Sequence, residues 1–355
     1  VANEPPKERD LDNYWDIANL YENDEGDYLK LSGRLQYDSA WIDSDQGDYD
    51  ETDWRRFRFG ISGKEGDFKY ALEADLKLNE DFSDAYNRLT DANVTWLAND
   101  NTSIKVLKQS TGFTLDGRTS SKKLLTLQRN NLTNNLWFTK EYFTGLSVSN
   151  KLSDGVKTKA GIFSSDASDE ISISEGSYFA LLSTSKTLSS NKYWDDAQIV
   201  FDYVYNDVDA EGGANDFSQI LSASSKFSKD NWTLQSDISW GEGDYEDVDG
   251  FKQSNLFGVV IMPSYNLTEE VELVARYTYI ESSEDNGIIL GRYDNDVVEG
   301  RGDRYREAYA GVNWYLNGHK LKLQAGIQYA QMDDNANDGG EYEGWNFTVG
   351  FRSYW

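Results

Sequence analysis

The sequence contains no cysteine, one histidine and three prolines among its 355 residues. Without cysteine, the chain forms no disulfide and no thiolate metal site. The single histidine, His319, lies in the turn-like segment LNGH, whereas a Ser–His hydrolase needs its histidine beside a serine in the site. No Gly-rich phosphate-binding loop and no zinc motif is found. These absences argue against an enzyme.

Long apolar runs are missing as well. No stretch of 18 apolar residues exists, so no transmembrane helix is expected. The opening segment VANEPPKERD lacks the apolar centre of a signal peptide, and we expect a mature chain whose leader has been removed. Hydrophobic residues make up only 38% of the chain, which is low for a globular protein, but the 14% of aromatic residues argues against disorder.

The chain is strongly acidic, with a net charge of −28. Such a chain is repelled by nucleic acid, so no nucleic-acid partner is expected. Carboxylate-rich segments offer oxygen ligands of the kind that Ca²⁺ prefers. The segment DSDQGD is a partial match to a calcium loop and makes Asp43, Asp45 and Asp48 candidate ligands, with a merely solvated acidic surface as the alternative. No other cofactor is predicted.

Alternation of apolar and polar residues is the dominant pattern. In residues 28–41, Leu29, Leu31 and Leu35 alternate with Lys30, Ser32, Arg34 and Gln36, which is typical of a β-strand with two different faces. Clear alternation recurs in residues 53–63, 68–78, 197–205, 270–280, 320–330 and 344–355. Weaker or shorter stretches are 90–98, 102–109, 135–152, 155–165, 177–188, 217–228, 231–241, 255–266 and 304–316.

The connections between these strands alternate in length. Short ones rich in Asn, Asp and Gly, as hairpin turns require, are 62–67, 98–101, 152–155, 228–231, 266–270 and 316–319. Long ones fall between them, at 42–53, 79–89, 110–135, 165–176, 206–216, 241–254, 281–303 and 331–343. This alternation predicts an all-β fold, an up-and-down antiparallel barrel of about sixteen strands with short periplasmic turns and long extracellular loops.

The two faces of the strands indicate a membrane barrel. Charged residues in mid-strand, such as Arg34, Arg56 and Arg58, would not be accepted unpaired in a packed core. A transmembrane barrel accepts them in a water-filled lumen, while its apolar face contacts lipid. A soluble β-sandwich, the alternative, does not explain the alternating loop lengths. We therefore expect a bacterial outer-membrane protein in contact with lipid and lipopolysaccharide.

Two regions are predicted. Residues 27–355 form the barrel, and residues 1–26 precede it as a periplasmic extension. In the extension Trp15, Ile17 and Leu20 are the only sizeable apolar residues among acidic ones, so either a short helical turn docked at the base of the barrel or a flexible leader is expected.

Several segments resemble the phosphate-selective porin O/P family of outer-membrane channels. They are LKLSGRLQYD (29–38), RRFRFGISGKEGDFKYALEADL (55–76), FTLDGRTSSKKLLTLQRN (113–130) and AYAGVNWYLNGHKLKLQAGIQYAQM (308–332). The resemblance implies a trimeric channel of sixteen strands for small ions or solutes, with the long loop 110–135 folded inward as a constriction. It also implies that basic residues carry the anion. The matching residues are Arg34, Arg56 and Arg58 on the wall and Lys122, Lys123 and Arg129 in the loop. The chain departs from the family pattern in LKQSTGF, where Ser110 and Gly112 replace a lysine and a proline.

The charge pattern leaves alternatives open. The wall arginines can instead pair with Glu73 and Asp75 across the next strand and form an ion-pair lattice that stiffens the barrel. Acidic segments at the predicted outer mouth, at 43–53, 241–250 and 332–343, would attract cations. The candidate functions are therefore a porin that favours anions, a general porin with a weak cation preference, and a structural or ligand-binding surface barrel.

Overall fold

The computed structural model describes residues 18–136, 141–173, 177–207, 216–243, 253–285, 287–337 and 339–355. The prediction for Trp15 and Ile17 therefore lies outside the described residues. In the described residues no helix is both long and apolar enough to span a membrane.

Antiparallel strands make up most of the described chain. They are β1 (Asn19–Glu22), β2 (Tyr28–Ser44), β3 (Gly47–Glu65), β4 (Phe68–Leu76), β5 (Tyr86–Leu97), β6 (Thr102–Ser110), β7 (Tyr142–Lys151), β8 (Val156–Ser164), β9 (Tyr178–Leu188), β10 (Asp196–Asn206), β11 (Phe217–Lys229), β12 (Trp232–Gly243), β13 (Leu256–Asn266), β14 (Val271–Ser282), β15 (Ile288–Ile289), β16 (Arg301–Gly302), β17 (Arg304–Asn317), β18 (Leu321–Asp333) and β19 (Tyr342–Tyr354). Three short α-helices of the described chain lie in the long loops: α1 (Leu115–Arg118), α2 (Asn131–Leu136) and α3 (Arg292–Asn295).

Sixteen of the described strands close into a barrel. Each of β2 to β14 and β17 to β19 pairs with the next in chain order, and β19 returns to β2 with Tyr354 opposite Arg34. Strand β1 pairs with Tyr28, Leu29 and Lys30 of β2, just beyond the point where β19 ends. The predicted up-and-down barrel is confirmed.

The loop alternation is also confirmed, with two local corrections. The short turns lie at one end of the barrel, called here the short-turn end, and the long loops lie at the opposite, long-loop end. The predicted long loop 42–53 is wrong, because β2 and β3 continue as one ladder to the pair Ser44–Gly47. The predicted strand over 135–152 is also wrong in its first part, because α2 ends at Leu136 and β7 begins only at Tyr142.

The candidate calcium ligands lie at the tip of the longer hairpin of β2 and β3. Asp43 and Asp48 are cross-strand partners, and Asp45 lies in the turn between them. Over the described ranges, no group of three or more histidine, cysteine, aspartate or glutamate side chains is placed so that it could hold a metal ion.

Exposure separates the two faces of each strand. Phe201 and Leu221 are 59% and 48% exposed on the outer face, whereas their neighbours Val200 and Ile220 are at most 1% exposed on the inner face. Paired aromatic rings lie towards the two ends of the outer surface, as in the interfacial girdles of membrane barrels. The ring pairs are Trp232–Tyr265, with centroids 4.7 Å apart, and Tyr329–Trp345, at 4.9 Å.

The inner face is less polar than the sequence indicates. Towards the long-loop end it carries a buried apolar cluster that includes Phe143, Phe163, Phe179, Val204 and Ile220. Inward-folded segments of two long loops, 111–136 and 287–302, add their own apolar side chains to this cluster and cover it. The interior is therefore a wet lumen only where these loops leave space.

Two glycines on the wall allow helix α2 to approach closely. A Cβ on Gly258 would lie 2.5 Å from Leu132 Cδ1, and one on Gly241 would lie 2.7 Å from Leu136 Cδ2. Leu132 and Leu136 are both fully buried. The absence of these two side chains lets the helix pack directly on β12 and β13.

Candidate functional site: the constriction

Residues 111–136, called here the constriction loop, leave the end of β6 and cross the interior. Their first fixed point is the start of helix α1. The backbone N–H of Thr114 donates to Asp202 Oδ2 (3.0 Å), and that of Leu115 donates to Asp237 Oδ1 (3.2 Å) and Ser224 Oγ (3.1 Å). Carboxylates on β10 and β12 thus satisfy N–H groups that a helix start leaves without partners.

The middle of the loop is fastened to strands on several sides of the barrel. Wall side chains from β2, β14, β17 and β18 donate hydrogen bonds to it. These run from Arg34 to Ser121 Oγ (2.8 Å), from Arg276 to the carbonyl of Gln128 (3.0 Å), from Asn313 to the carbonyl of Leu125 (3.0 Å) and from Lys322 to the carbonyl of Leu124 (2.5 Å). The loop predicted at 110–135 therefore lies within the lumen.

Arg129 braces the loop from within. It is 7% exposed and donates to the carbonyls of Asp116 and Thr119. Its Nη2 lies 3.8 Å from Glu141 Oε1, and the Asp116 carboxylate also accepts from the backbone N–H of Asn130 at 2.9 Å. This predicted pore residue is engaged inside the loop.

Two of the wall arginines lie in a buried ion-pair lattice. Arg58 is fully buried, with its Nε 3.2 Å from Asp75 Oδ2 and its Nη1 3.7 Å from Glu73 Oε1. Arg34 Nη2 lies 3.2 Å from the same oxygen of Glu73. This is the pairing that the sequence left open as an alternative to a free basic stripe.

Arg56 is less constrained, and a β-bulge changes the face of its neighbour. Arg56 is half-buried and donates to Gln36 Oε1 at 3.0 Å. Arg56 pairs with Gln36 and Trp54 with Tyr37, so Arg55 is an extra residue in the ladder. Arg55 accordingly interacts with Asp38 and Tyr293 in the interior, although strict alternation with Phe57 and Phe59 would place it on the apolar face.

The two predicted lysines lie on the surface of the loop. Lys123 is exposed, and Lys122 is half-buried with its Nζ 5.0 Å from the centre of the Tyr354 ring. Burial and the nearby Arg34 and Arg58 lower the pKa of Lys122 to about 8, whereas Glu73 acts to raise it. Lys122 therefore remains mostly protonated at neutral pH.

Three further basic residues lie between the loop and strands β6 to β10. Lys159 donates to the carbonyl of Thr111 at 2.7 Å, and Arg118 pairs with Asp202. Lys105 interacts electrostatically with Lys159 and with Asp91. Alternation along the strands could have identified Lys105 and Lys159. Lys105 lies on the face opposite to Ile104 and Val106, and Lys159 lies on the face opposite to Ile162.

We define the eyelet by its ionisable members on the loop and on the facing wall. They are Arg34, Arg58, Lys105, Arg118, Lys122 and Lys159 among the bases, and Glu73, Asp75, Asp91 and Asp202 among the acids. Six bases against four acids leave a net charge of +2, in a protein whose overall charge is −28. Glu73, Asp75 and Asp202 each have an arginine partner, so the eyelet has more basic than acidic groups.

Comparison with known proteins agrees with this geometry. The model of the family described as phosphate-selective porin O and P matches residues 29–189. No curated protein matches the chain significantly.

Among the solved structures to which the chain is similar are the following three. The first is the anion-selective porin from Comamonas acidovorans, with a TM-score of 0.66 and 11% identity over 93% of this chain and 100% of that chain. The second is the outer membrane channel DcaP of Acinetobacter baumannii, with a TM-score of 0.62 and 13% identity over 94% and 99%. The third is OprB of Pseudomonas putida, with a TM-score of 0.61 and 11% identity over 92% and 94%.

At these identities the structural similarity establishes the fold, and the family match covers the segment from β2 to β9 that contains the constriction loop. The chain therefore shares its barrel fold with these solved structures, and its residues 29–189 are similar to the family of phosphate-selective porins O and P.

Proposed function

We propose that the protein is a passive diffusion channel for small hydrophilic solutes and that it favours small anions such as phosphate. The solute passes between the constriction loop and the wall formed by β3 to β9. The observation that carries this proposal is the excess of basic groups in the eyelet. Among the described residues, Lys105, Lys122 and Lys159 form no ion pair with an acid of the kind that Arg34, Arg58 and Arg118 form.

The predicted pore residues take different roles in this proposal. Lys122 and Arg56 contact the passing anion, and Lys123 acts at the edge of the path. Arg34, Arg58 and Arg129 hold the wall and the loop in place, because their charges are already engaged by Glu73, Asp75 and Glu141. Ammonium and guanidinium groups suit phosphate oxygens as hydrogen-bond acceptors, so the remaining basic groups select for charge and size.

The cation-preferring alternative rests on the acidic long-loop end. Hairpin 43–53 and loop 332–343 are rich in carboxylates and attract cations to the mouth. Their field decays over about 8 Å at physiological ionic strength. In our proposal they bias entry, and the eyelet sets selectivity. The assembly is proposed to be a homotrimer among lipopolysaccharide molecules, with residues 1–26 on the periplasmic side, on the strength of the family resemblance.

Reversal potentials in a KCl gradient distinguish these functions. Purified protein in a planar bilayer is expected to give a reversal potential of the sign set by chloride, and added phosphate should reduce the chloride current by competing for the eyelet. Replacing Lys122 and Lys123 by glutamate should weaken the anion preference. The control Lys192→Glu changes an exposed lysine in the turn 189–195 and should leave it unchanged.

Each alternative has its own result in that experiment. A reversal potential of the cation sign in the unmodified protein would contradict the anion proposal and favour the general porin. A complete absence of current would favour the structural or ligand-binding barrel.

A further inference from the structure

A second loop lies inside the barrel at the long-loop end. Residues 287–302, called here the inner lid, form a small hairpin of β15 and β16 with helix α3 between them. Four apolar side chains of the lid, Ile288, Leu290, Tyr293 and Val298, are at most 7% exposed. The sequence predicts only a long surface loop here, so the burial of this segment within the apolar cluster is a finding of the structure.

The inner lid is seated on the constriction loop. The Ile289 carbonyl accepts from Asn131 Nδ2 and from Asn135 Nδ2, both at 2.9 Å, and the Ile289 N–H donates to Asn135 Oδ1 at 2.8 Å. All three bonds join β15 to helix α2. Movement of the lid would therefore uncover α2 and the apolar cluster of the interior to which the lid side chains belong.

Most acidic groups around the lid have an arginine partner. On β3, Asp53 and Glu51 lie 2.9 Å and 3.3 Å from Arg292 Nη2. On β17, Glu307 lies 2.6 Å from Arg276, and on β2, Asp38 pairs with Arg352 and accepts a hydrogen bond from Tyr293. These charges are compensated while the lid is docked.

Asp294 differs from these acids. It is 2% exposed, and its donors among the described residues are all neutral, namely Gln328 Nε2 at 2.8 Å, Tyr342 OH at 3.0 Å and Asn346 Nδ2 at 3.0 Å. No lysine or arginine of the described chain lies within ion-pair distance of it. Another acid, Glu307, acts on it electrostatically. The docked lid thus holds a buried carboxylate without a cation.

Burial raises the pKa of Asp294 to about 6, with Glu307 acting in the same direction against the three hydrogen bonds. In a released lid the side chain would titrate near the ordinary aspartate value of about 3.9. Because the pKa of Asp294 is higher in the docked lid than in the released lid, protonation of Asp294 favours docking. This contribution to the free energy of docking decreases as the pH rises from about 4 and is lost above about 6.

We propose that the inner lid is a pH-responsive gate, seated on the constriction loop in acid and released at neutral pH, with Asp294 as its switch. This inference rests on the proposed function, since it requires that solutes pass through the lumen.

Conductance at two pH values tests the gate. Unmodified channels are expected to conduct about threefold more at about pH 8 than at about pH 4.5, because the Asp294 carboxylate destabilises the docked lid once it is ionised. Asp294→Asn keeps a neutral side chain at both pH values, so its conductance should remain low and nearly constant. Equal conductance of unmodified channels at both values, or an unchanged pH dependence in Asp294→Asn, would overturn the proposal.

A reversible cross-link provides the matched control. The chain has no cysteine, so Asn135→Cys with Ile289→Cys introduces a single disulfide between the lid and α2. The oxidised variant should stay at the low conductance at about pH 8, and reduction should restore the unmodified value. If oxidation leaves the current unchanged, the lid is not the gate. If the reduced variant and the unmodified protein carry no current at any pH, the proposed channel function itself fails.

Discussion

Replacing both Lys105 and Lys159 by glutamate is expected to reverse the ion preference of the channel. The double substitution changes the net charge of the eyelet from +2 to −2, since each replacement removes one positive and adds one negative charge. A unit charge about 8 Å away contributes about 2 kcal/mol at an effective dielectric constant of about 20. The permeability ratio of chloride to potassium should therefore fall by more than about tenfold, and the reversal potential should change sign.

Lys151→Glu with Lys192→Glu is the control for this substitution. Both lysines are exposed near the short-turn end, so the control makes the same change in total charge outside the eyelet. It should leave the reversal potential close to that of the unmodified protein. An equal shift in the two double variants would mean that total charge, and not the eyelet, determines selectivity.

Arg58→Met is expected to destabilise the barrel strongly. Arg58 is fully buried between Asp75 and Glu73 and donates to Tyr142 OH at 2.5 Å. Methionine fills part of the volume but leaves Asp75 without its closest cation, and removing one member of a buried pair costs about 3–5 kcal/mol. Urea unfolding in lipid vesicles, followed by the intrinsic fluorescence, measures this loss.

Two comparisons show whether charge is the cause. Lys229→Met breaks the exposed pair with Asp195 and should change stability little, because solvent screens that pair. Adding Asp75→Asn to Arg58→Met should recover much of the lost stability, because the carboxylate that lost its closest cation is then neutral while Glu73 keeps its pair with Arg34. A double variant as unstable as the single one would point to lost packing instead.

The barrel itself could be predicted from the sequence because two physical rules act locally. Side chains alternate between faces, and hairpin turns need Gly, Asn or Asp. Strands such as 320–330 and turns such as 228–231 can therefore be predicted from their own residues. The position of loop 110–135 inside the lumen could be predicted only through the family resemblance.

The phase of individual residues could not be predicted in the same way. The bulge at Arg55 depends on how β3 pairs with β2. On β6, strict alternation would place Lys105 and Lys108 on opposite faces. Leu107 has a positive φ of 74°, however, and both lysines lie on the inner face. Such breaks are set by neighbouring strands, so a single stretch of sequence does not reveal them.

The covering of the interior by inserted loops could not be predicted from the sequence either. In the segment QILSAS, Ile220 and Leu221 are adjacent and both apolar, yet one contacts the inserted loops and the other faces outward. Alternation cannot distinguish hydrocarbon from a covering loop, because both favour the same side chains. The inner lid cannot be predicted for the same reason, because its segment GIILGRYDNDVV indicates only a long connection.

The central claim is that adjacent residues of a strand separate lipid from a loop-filled interior, and nitroxide labels at positions 220 and 221 test it directly. The chain has no cysteine, so Ile220→Cys and Leu221→Cys each accept a single label. In lipid vesicles the label at 221 should be highly accessible to oxygen and poorly accessible to a water-soluble nickel chelate. The label at 220 should be poorly accessible to both. Oxygen accessibility that is equal at the two positions, or higher at 220, would contradict the account.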